Sequence, residues 1–272
     1  MTLFKEEIYK MRIFTKTKKT NMLSKNDIKT IKSLEQKKFR NEFNLFTAEG
    51  PKLVGDLAGQ FECCFLAATP AWLDSNRHIR AERIERISRD ELEKISFLKT
   101  PQDVLALFRI PKYDFNTAQA ASERLLLALD GIQDPGNLGT IVRIADWFGI
   151  NDIICSRNTA DIYNPKSVQA TMGALSRVRL HYLDLEHELS NLRPGTPVYG
   201  TFLDGDNMYS GNISGNGIIV MGNEGNGISS QVGRLVSHRL FIPNWPEGAK
   251  TSESLNVAVA TAIVCAEFRR PR

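Results

Sequence analysis

The sequence predicts an α/β protein with two domains, of which the larger, C-terminal one is built on a mostly parallel sheet. The C-terminal half alternates strand-like apolar runs with helical patterns, as parallel sheets require. Its run Leu125 to Leu129 is continuously apolar, which is typical of a strand covered on both faces. Residues 112–122 are polar and lack periodicity, which indicates a linker between a smaller N-terminal α/β domain and the larger one.

The composition is that of an ordinary globular protein. Hydrophobic residues make up 42% of the 272 residues and charged residues 24%. No apolar run reaches the roughly 18 residues of a membrane helix, and Met1 to Thr20 lacks the apolar region of a secretory signal. The four cysteines form no CxxC pair and the four histidines are scattered. We therefore expect a cytoplasmic protein with reduced thiols, no metal and no membrane partner.

Positive charge is concentrated at the N-terminus. Residues 1–40 hold twelve Lys or Arg and four Asp or Glu, whereas the whole chain has a net charge of only +4. A basic arm on a near-neutral body is typical of proteins that bind phosphate backbones. A solvated helix face with a disordered tail would give the same pattern. We expect residues 1–21 to be a flexible basic extension.

In the N-terminal domain, Ser24 fits a helix N-cap before Ile28, Ile31 and Leu34, which recur at helical spacing. The other predicted elements are a strand at Leu45 to Glu49, a helix opened by Gly50-Pro51, a strand within Phe61 to Ala68, helical patches around a short Ile84/Ile87 segment in Ala81 to Leu98, and a strand at Val104 to Phe108.

In the C-terminal domain, a Gly/Pro/Asn turn from Gly131 to Gly136 follows the Leu125 strand and leads into a helix. The further predicted elements are strands at Asp152 to Cys155, Val198 to Leu203, Gly217 to Met221 and Arg239 to Pro243, and helices at Pro165 to Ala174 and Ser254 to Phe268.

Three clusters of glycine and polar residues each follow a predicted strand. Ligands bind at the carboxyl ends of strands in open α/β sheets, so the three clusters could meet at one site. The first runs from Asp130 to Arg143, with Asn137 as the expected N-cap of the helix. Arg143 lies between apolar residues and needs a partner, because an unpaired buried charge is costly. A structural carboxylate would serve equally well as that partner.

The second cluster is Met221-Gly222-Asn223-Glu224-Gly225-Asn226-Gly227, whose glycines let the backbone approach a ligand closely. A plain glycine-rich turn is the alternative. Its spacing fits neither a P-loop nor a dinucleotide fingerprint, which argues against a nucleotide-dependent oxidoreductase. The third cluster follows Ile242-Pro243 and includes Ser254, the expected cap of the last helix, and a plain capping motif is the alternative there.

Together NLGTIVR, MGNEGNG and SESLNVAVA, in this order after strands, resemble motifs 1, 2 and 3 of the SpoU (TrmH-type) family of SPOUT RNA methyltransferases. Residues 123–272 would be the methyltransferase domain. Residues 22–111 resemble, chiefly through AEGPKLV, the L30e-like substrate-binding domain that many of these enzymes carry. The resemblance implies an α/β fold with a trefoil-knotted, mostly parallel sheet flanked by helices, and a homodimer formed through the knotted domain, with the active site at the dimer interface.

The resemblance implies S-adenosylmethionine as cofactor, bound bent in the knot. Apolar Ile242 and Leu255 would sandwich the adenine, and contacts through the main chain would explain the glycine at 222. The implied cofactor contacts are Thr201, Phe202, Leu203, Met221, Gly222, Asn223, Gly225, Ile242, Pro243, Leu255 and Asn256.

The implied reaction is methyl transfer to a ribose 2′-hydroxyl of RNA. A guanidinium near that oxygen would stabilise the developing alkoxide, although an arginine is too firmly protonated to act as the base. A catalytically silent RNA-binding protein of the same fold is the alternative. The matching catalytic residues are Asn137, Arg143, Glu224, Ser254 and Asn256.

The expected substrate is ribosomal RNA of the 23S type, with tRNA as the alternative, because an L30e-like accessory domain is commoner among the rRNA enzymes of this family. Phosphate contacts from the basic N-terminal region would position the RNA without reading its sequence. The candidates are Lys29, Lys37, Lys38, Arg40 and Lys52.

The sequence departs from the family pattern between Pro243 and Ser254, where residues 244–251 lengthen a loop that is usually short. The longer loop could extend a lid over the cofactor, or Trp245 could stack on a base. A tolerated surface insertion is the third possibility.

Overall fold

The computed structural model describes residues 23–211, 213–246, 249, 252 and 254–271. The expected basic extension at residues 1–21 lies outside the described residues. The chain forms two compact units. Of these described residues, the first unit contains 23–112 together with Tyr163–Ser176, and the second contains Tyr113–Ile162 and those from Arg177 onwards.

The first unit is built on a four-stranded sheet in the order β1-β4-β2-β3, in which β4 runs antiparallel to both neighbours and β3 runs parallel to β2. Its elements are α1 (Lys25–Ser33), α2 (Lys37–Phe43), β1 (Leu45–Glu49), α3 (Pro51–Ala58), β2 (Cys63–Ala68), α4 (Pro70–Ser75), β3 (Arg83–Arg86), α5 (Arg89–Ile95) and β4 (Val104–Arg109).

Local signals in the sequence explain most of these boundaries. Ser24 caps α1 in a capping box with Asp27, as the sequence predicts. Gly50 has a φ of 97°, a conformation that favours glycine, and Pro51 then opens α3 with its fixed φ. β2 and most of β4 are fully buried, which explains their continuous apolar runs, and β1 is equally buried although it includes Thr47 and Glu49.

One segment of the C-terminal half belongs to the first unit. Tyr163–Ser176 contains α8 (Pro165–Ala170), and the ring of Tyr163 packs on that of Phe46 in β1 with centroids 4.9 Å apart. The first unit therefore completes its core with residues from the second half of the sequence.

The second unit is built on a six-stranded sheet in the order β10-β8-β9-β5-β6-β7, and every pair of neighbours is parallel. This confirms the predicted parallel sheet. Its elements are α6 (Thr117–Glu123), β5 (Leu125–Asp130), α7 (Pro135–Trp147), β6 (Asp152–Ser156), β7 (Arg179–Leu183), α9 (Leu185–Ser190), β8 (Val198–Asn207), β9 (Gly217–Gly222), α10 (Ser230–Gly233), β10 (His238–Phe241) and α11 (Val257–Phe268).

The structure differs from the sequence prediction at several elements, among them the helices α2, α4 and α10, which were not predicted. The expected linker contains α6, which Asn116 caps and which buries Ala120 and Ala121 against the sheet. Small residues gave that helix too weak an apolar stripe to be recognised. β7 and α9 were not predicted. β8 extends four residues beyond its predicted end at Leu203.

All four cysteines are buried and free. Burial raises the pKa of Cys63, Cys64 and Cys265 to about 12, so these thiols are not ionised near neutral pH. Within the described residues no helix is long and apolar enough to span a membrane. The same part of the chain contains no group of His, Cys, Asp or Glu side chains arranged to hold a metal ion.

Candidate active site

The first two motifs meet because their strands are neighbours. β5 and β9 pair in parallel up to Asp130 and Gly222, so the loops that follow them leave the sheet side by side. Their proximity is fixed by two hydrogen bonds. The Asn223 side chain donates to the Gly131 carbonyl at 2.7 Å, and the Ser229 amide donates to the Asp130 carboxylate at 2.7 Å.

Asp134, not Asn137, caps α7. The Asp134 carboxylate accepts a hydrogen bond from the backbone N–H of Asn137 at 2.8 Å, and Pro135 occupies the first helical position. The expected cap at Asn137 was therefore wrong by one turn. The reason is that Asp-Pro supplies both an acceptor side chain and a preset φ. Asn137 becomes the third helical residue, and its side chain is released from capping.

Asn137, Glu224 and Asn256 form a hydrogen-bonded chain that links all three motifs. The Asn137 amide nitrogen donates to the Glu224 carboxylate at 2.9 Å, and the Asn256 amide nitrogen donates to Asn137 Oδ1 at 3.1 Å. Asn137 is half-buried, whereas Glu224 and Asn256 are exposed. Residues up to 119 positions apart are thus joined in one polar surface that faces solvent.

Asn256 also caps the last helix. Its side-chain oxygen accepts from the Ala258 and Val259 amides at 3.0 and 3.3 Å, so α11 begins at Val257. The expected cap, Ser254, lies two residues earlier, is exposed, and makes no hydrogen bond to any other described residue. Asn256 outcompetes it because one amide group can cap the helix with its oxygen and donate to Asn137 with its nitrogen.

Asn223 shapes the loop that presents Glu224. Its backbone exchanges two hydrogen bonds of 2.9 Å with Gly227, and its side-chain oxygen accepts from the Gly225 and Asn226 amides at 2.9 and 3.0 Å. With its amide nitrogen bound to Gly131, both ends of its side chain are used within the protein. The structure therefore gives Asn223 a structural role, although the sequence placed it among the cofactor contacts.

Gly222 is required by the same loop. A Cβ at this position would lie 2.3 Å from the Gly227 carbonyl carbon and from the Ile228 nitrogen. The close return of the protein's own backbone thus accounts for the glycine, whereas the sequence attributed it to contact with a cofactor.

Arg143 takes no part in this chain of hydrogen bonds. It lies six residues beyond Asn137 in α7, a rise of about 9 Å along the helix axis. Its side chain is exposed and makes no hydrogen bond or ion pair to the rest of the described chain. The premise that Arg143 is buried and needs a partner was wrong, because it points away from the apolar face of α7.

The predicted cofactor residues lie in the middle of β8, around the carboxyl end of β9, directly after β10 and directly before α11. The register between β8 and β10 jumps from Gly200 to Asp206, which leaves Thr201 to Gly205 out of that ladder. Leu203 is 74% exposed and Leu255 is 48% exposed. An adenosine group is bound by backbone groups that can form hydrogen bonds with it and by apolar side chains that can contact its base. Both are present here. The residues present therefore fit S-adenosylmethionine.

The longer loop carries the most exposed large apolar side chain among the described residues, Trp245, at 88%. Its start is held by the Asn244 side chain, which donates to the Ala249 carbonyl at 2.8 Å, and by the Ala249 amide, which donates to the Pro246 carbonyl at 3.0 Å. Residues 247, 248, 250, 251 and 253 lie outside the described residues.

The predicted RNA-binding side chains differ in accessibility. Lys29, Lys37 and Lys38 are exposed, and Lys52 is exposed but paired with Asp56 at 2.8 Å. Arg40 is only 2% exposed, and its guanidinium donates to the carbonyls of residues 34 and 35 at 2.7 Å. Arg40 closes the end of α1 and is not free to contact a phosphate.

Sequence reasoning missed the residues that support the site. A turn after β6 is tied to the first motif by Ser156, whose hydroxyl accepts from the Gly131 amide at 2.8 Å, and by the Gln133 side chain, which donates to the Asn158 carbonyl at 3.1 Å. The Asp134-Pro135 pair was a readable N-cap signal. The Ser156 contact had no local signal.

The chain matches two family models. Residues 124–266 match the SpoU rRNA Methylase family, and residues 25–106 match the MRM3-like substrate binding domain. The first match alone spans more than half of the chain.

Three relatives illustrate the similarity. The 23S rRNA (guanosine(2553)-2′-O)-methyltransferase RlmP of Bacillus subtilis is 29% identical over 248 residues, which are 89% of this chain and 95% of that protein. A Porphyromonas gingivalis structure assigned to the TrmH family of RNA methyltransferases is 42% identical, with a TM-score of 0.83 over 91% of this chain and 98% of that one. An AdoMet-bound rRNA methyltransferase from Sinorhizobium meliloti is 28% identical, with a TM-score of 0.78 over 93% and 97%.

The family match, the SPOUT fold shared with these structures and the meeting of the three motifs around Asn137 agree with one another. The chain belongs to the SpoU rRNA methylase family.

Proposed function

We propose that this chain methylates a ribose 2′-hydroxyl of 23S-type ribosomal RNA at the surface formed by Asn137, Glu224 and Asn256. The observation that supports this most strongly is the hydrogen-bonded chain of these three side chains, because it unites the three motifs at the carboxyl ends of the strands. As a member of its family, the chain is an S-adenosylmethionine-dependent RNA 2′-O-ribose methyltransferase.

Relatives named as 23S rRNA methyltransferases favour rRNA over tRNA as the substrate. Besides the Bacillus enzyme they include the 23S rRNA (uridine(2479)-2′-O)-methyltransferase of Streptomyces viridochromogenes, 28% identical over 204 residues, which are 72% of this chain and 70% of that protein. The unit that matches a substrate-binding domain would hold the RNA through exposed lysines such as Lys29, Lys37 and Lys38. We place this activity in the cytoplasm, where ribosomal RNA is found.

S-adenosylmethionine would be held by the main chain of Thr201 to Leu203 and by the apolar side chains of Ile242, Pro243 and Leu255. When bound, it supplies an electrophilic methyl group on a sulfonium centre. Ile242 and Leu255 would enclose the adenine, and burying the exposed apolar surface of Leu255 and Leu203 against the cofactor would be favourable.

A ribose hydroxyl is a weak nucleophile: as its oxygen bonds the methyl carbon, the bond between that carbon and the donor sulfur breaks, and the hydroxyl proton would pass to an RNA phosphate oxygen. The Arg143 guanidinium would stabilise the negative charge that develops on the ribose oxygen. Asn137, Glu224 and Asn256 would hold the ribose, since each offers donors or acceptors on a surface fixed by its own hydrogen bonds. Ser254, exposed just before α11, would contribute a hydroxyl to the same surface.

Because Arg143 makes no hydrogen bond to these side chains, we propose that a homodimer supplies it from the second copy. The exposed faces of α7 and α11 support such an interface. Trp147 is 85% exposed on α7, and Val259 is 50% exposed on α11. α11 is apolar except for the buried Thr261 and for Glu267 near its end, and exposed apolar residues on such a helix favour a partner that covers them.

Mixing two impaired variants tests the shared site. Arg143→Ala and Glu224→Ala proteins are each expected to keep no more than about a tenth of the wild-type rate. After subunit exchange, half of the dimers would be mixed and one of their two sites would be intact, which restores about a quarter of the wild-type rate. If Arg143 and Glu224 acted within one chain, every site would keep a defect and no activity would return.

The methylation itself is tested with tritiated S-adenosylmethionine and rRNA from cells that lack the gene. We expect label at one ribose 2′-oxygen, and mapping of ribose methylation in cells with and without the gene should lose the same position. Binding of rRNA without transfer would indicate the silent RNA-binding protein, and label on tRNA would overturn the rRNA assignment.

A further inference from the structure

We infer that Arg157 is a positioning residue that holds a phosphate of the substrate RNA at the β6 side of the active site. Because it names a substrate contact of the same site, this inference rests on the proposed function. It is suggested by the turn at residues 156–159, which no motif includes.

The turn lies directly beside the first motif. β5 and β6 are neighbouring parallel strands with Leu129 opposite Cys155, so two residues further on Arg157 comes level with Gly131. Neighbouring strands lie about 4.8 Å apart. The Gln133 side chain donates a hydrogen bond to the Asn158 carbonyl. The backbone nitrogen of the same residue lies 3.5 Å from the Glu224 carboxylate. The turn therefore borders the surface on which the ribose is expected.

The backbone of the turn is held firmly. The Ser156 hydroxyl accepts from the Gly131 amide at 2.8 Å and lies 2.9 Å from the Thr159 hydroxyl, which also contacts the Leu129 carbonyl at 3.0 Å. The Ala160 amide donates to the Ile132 carbonyl at 2.7 Å. Because these bonds fix the main chain, only the Arg157 side chain itself must be ordered when it binds a ligand.

The Arg157 guanidinium is free. In the described part of the second unit, most arginines have partners: Arg177 pairs with Asp146 at 2.7 Å, and Arg239 pairs with Asp204 and stacks on a phenylalanine ring. Arg157 is exposed and makes no hydrogen bond or ion pair there. An unpaired cation on this turn stabilises nothing in the folded chain, and its place beside the first motif makes it available to an anion bound there.

The chemistry of the substrate supplies the partner. In RNA the reactive 2′-oxygen lies next to the 3′-phosphate of its own nucleotide, so a ribose bound at Asn137 brings a phosphate to the rim of the site. The Glu224 carboxylate would repel that phosphate, and a cation beside it offsets this repulsion. A guanidinium can bind a phosphate with two parallel hydrogen bonds, which fixes its orientation as well as its distance.

The test compares Arg157→Gln with Arg234→Gln. Arg234 is a matched control because it is also exposed and without a partner among the described residues, but it lies shortly before β10, at the amino ends of the strands. The substrate is rRNA from cells that lack the gene. We expect Arg157→Gln to raise KM for RNA about tenfold with kcat within about twofold, and to leave the Kd for S-adenosylmethionine unchanged.

Two further readouts identify a phosphate contact. The salt dependence of RNA binding should become shallower by roughly 0.7–0.9, the value of one lost phosphate contact. Arg157→Lys should keep the salt slope while recovering only part of the KM, because it retains the charge without the planar fork. Arg234→Gln should change neither quantity.

The inference is overturned if Arg157→Gln leaves KM and the salt slope within error of wild type, or if Arg234→Gln changes them equally. A loss of kcat at saturating RNA with KM unchanged would also overturn it. If the wild type binds rRNA but transfers no methyl group, the proposed function fails, and the salt slopes of the two variants still decide the role of Arg157.

Discussion

At the amino ends of the second sheet, the buried carboxylate of Asp152 contacts Arg124, Arg179 and His181 at 2.9 to 3.0 Å. At the carboxyl ends, Asn137 and Glu224 form a hydrogen-bonded chain with Asn256 that faces solvent. Both clusters join residues that are distant in sequence.

The two clusters differ in how completely their groups are used. Asp152 is fully buried, and every charge beside it is compensated, so that cluster fixes the strands and leaves nothing free to react. The other cluster is open to solvent, and the guanidiniums of Arg143 and Arg157 are unpaired within the described chain. The cluster at the amino ends of the strands therefore stabilises the fold, whereas the cluster at the carboxyl ends forms the surface that we propose as the active site.

The largest expected effect is on Arg143. Arg143→Ala should lower kcat by about 100- to 1,000-fold, because it removes the charge that we propose stabilises the developing alkoxide. Its exposed position predicts an unchanged Kd for S-adenosylmethionine by calorimetry and an unchanged Tm. An equal loss of cofactor affinity would contradict the role assigned to it, and Arg234→Ala is the control.

Glu224→Ala should lower kcat by about 10- to 100-fold, because Asn137 loses the acceptor that orients it. Since the Glu224 side chain is exposed, Tm should fall by no more than about 2 °C. Glu224→Gln keeps an acceptor oxygen and should recover part of the rate in a steady-state assay. A Tm loss as large as that of Asp152→Asn would show that the carboxyl-end cluster is structural.

Asp152→Asn should have the opposite profile. Removing the carboxylate leaves Arg124 and Arg179 without their shared partner, and we expect the free energy of unfolding to fall by about 2 kcal/mol. Tm should fall by roughly 4–8 °C in differential scanning calorimetry. The rate per folded molecule at 25 °C should remain within about twofold, and a selective loss of kcat would contradict the division between the two ends.

The pH dependence of stability should report the same carboxylate. Burial alone would raise the pKa of Asp152, but hydrogen bonds from His181 and Arg124 and the charge of Arg179 lower it from 3.8 to about 2. A lowered pKa stabilises the fold above the unfolded value by about 2 kcal/mol. This contribution should fade between about pH 4 and pH 2 in the wild type and be absent from Asp152→Asn, as urea titrations would measure.

Much of the fold was readable because its signals are local. Gly50-Pro51 opens α3, Ser24 caps α1, and the continuous apolar runs at β5 and β9 predicted a parallel sheet. The three motifs were readable for the same reason, since each is a short string of glycine and polar residues after a strand.

The helix starts were read less well, because several residues near each start can act as a cap. Asp134 displaced Asn137, and Asn256 displaced Ser254. The contacts that decide between such candidates come from elsewhere in the chain. The Asn137 side chain donates a hydrogen bond to Glu224, and the Asn256 side chain donates one to Asn137.

By itself the sequence determined the α/β class, the three motifs and the family, because all three depend on residue types and spacings along the chain. Only the tertiary structure decided that Arg40 is buried and that the Arg143 side chain is exposed and bonded to no other described residue. It alone showed that Tyr163–Ser176 belongs to the first unit and that Arg157 lies on a braced turn beside the site. Burial and the partners of a side chain depend on distances between strands and loops that the order of residues does not contain.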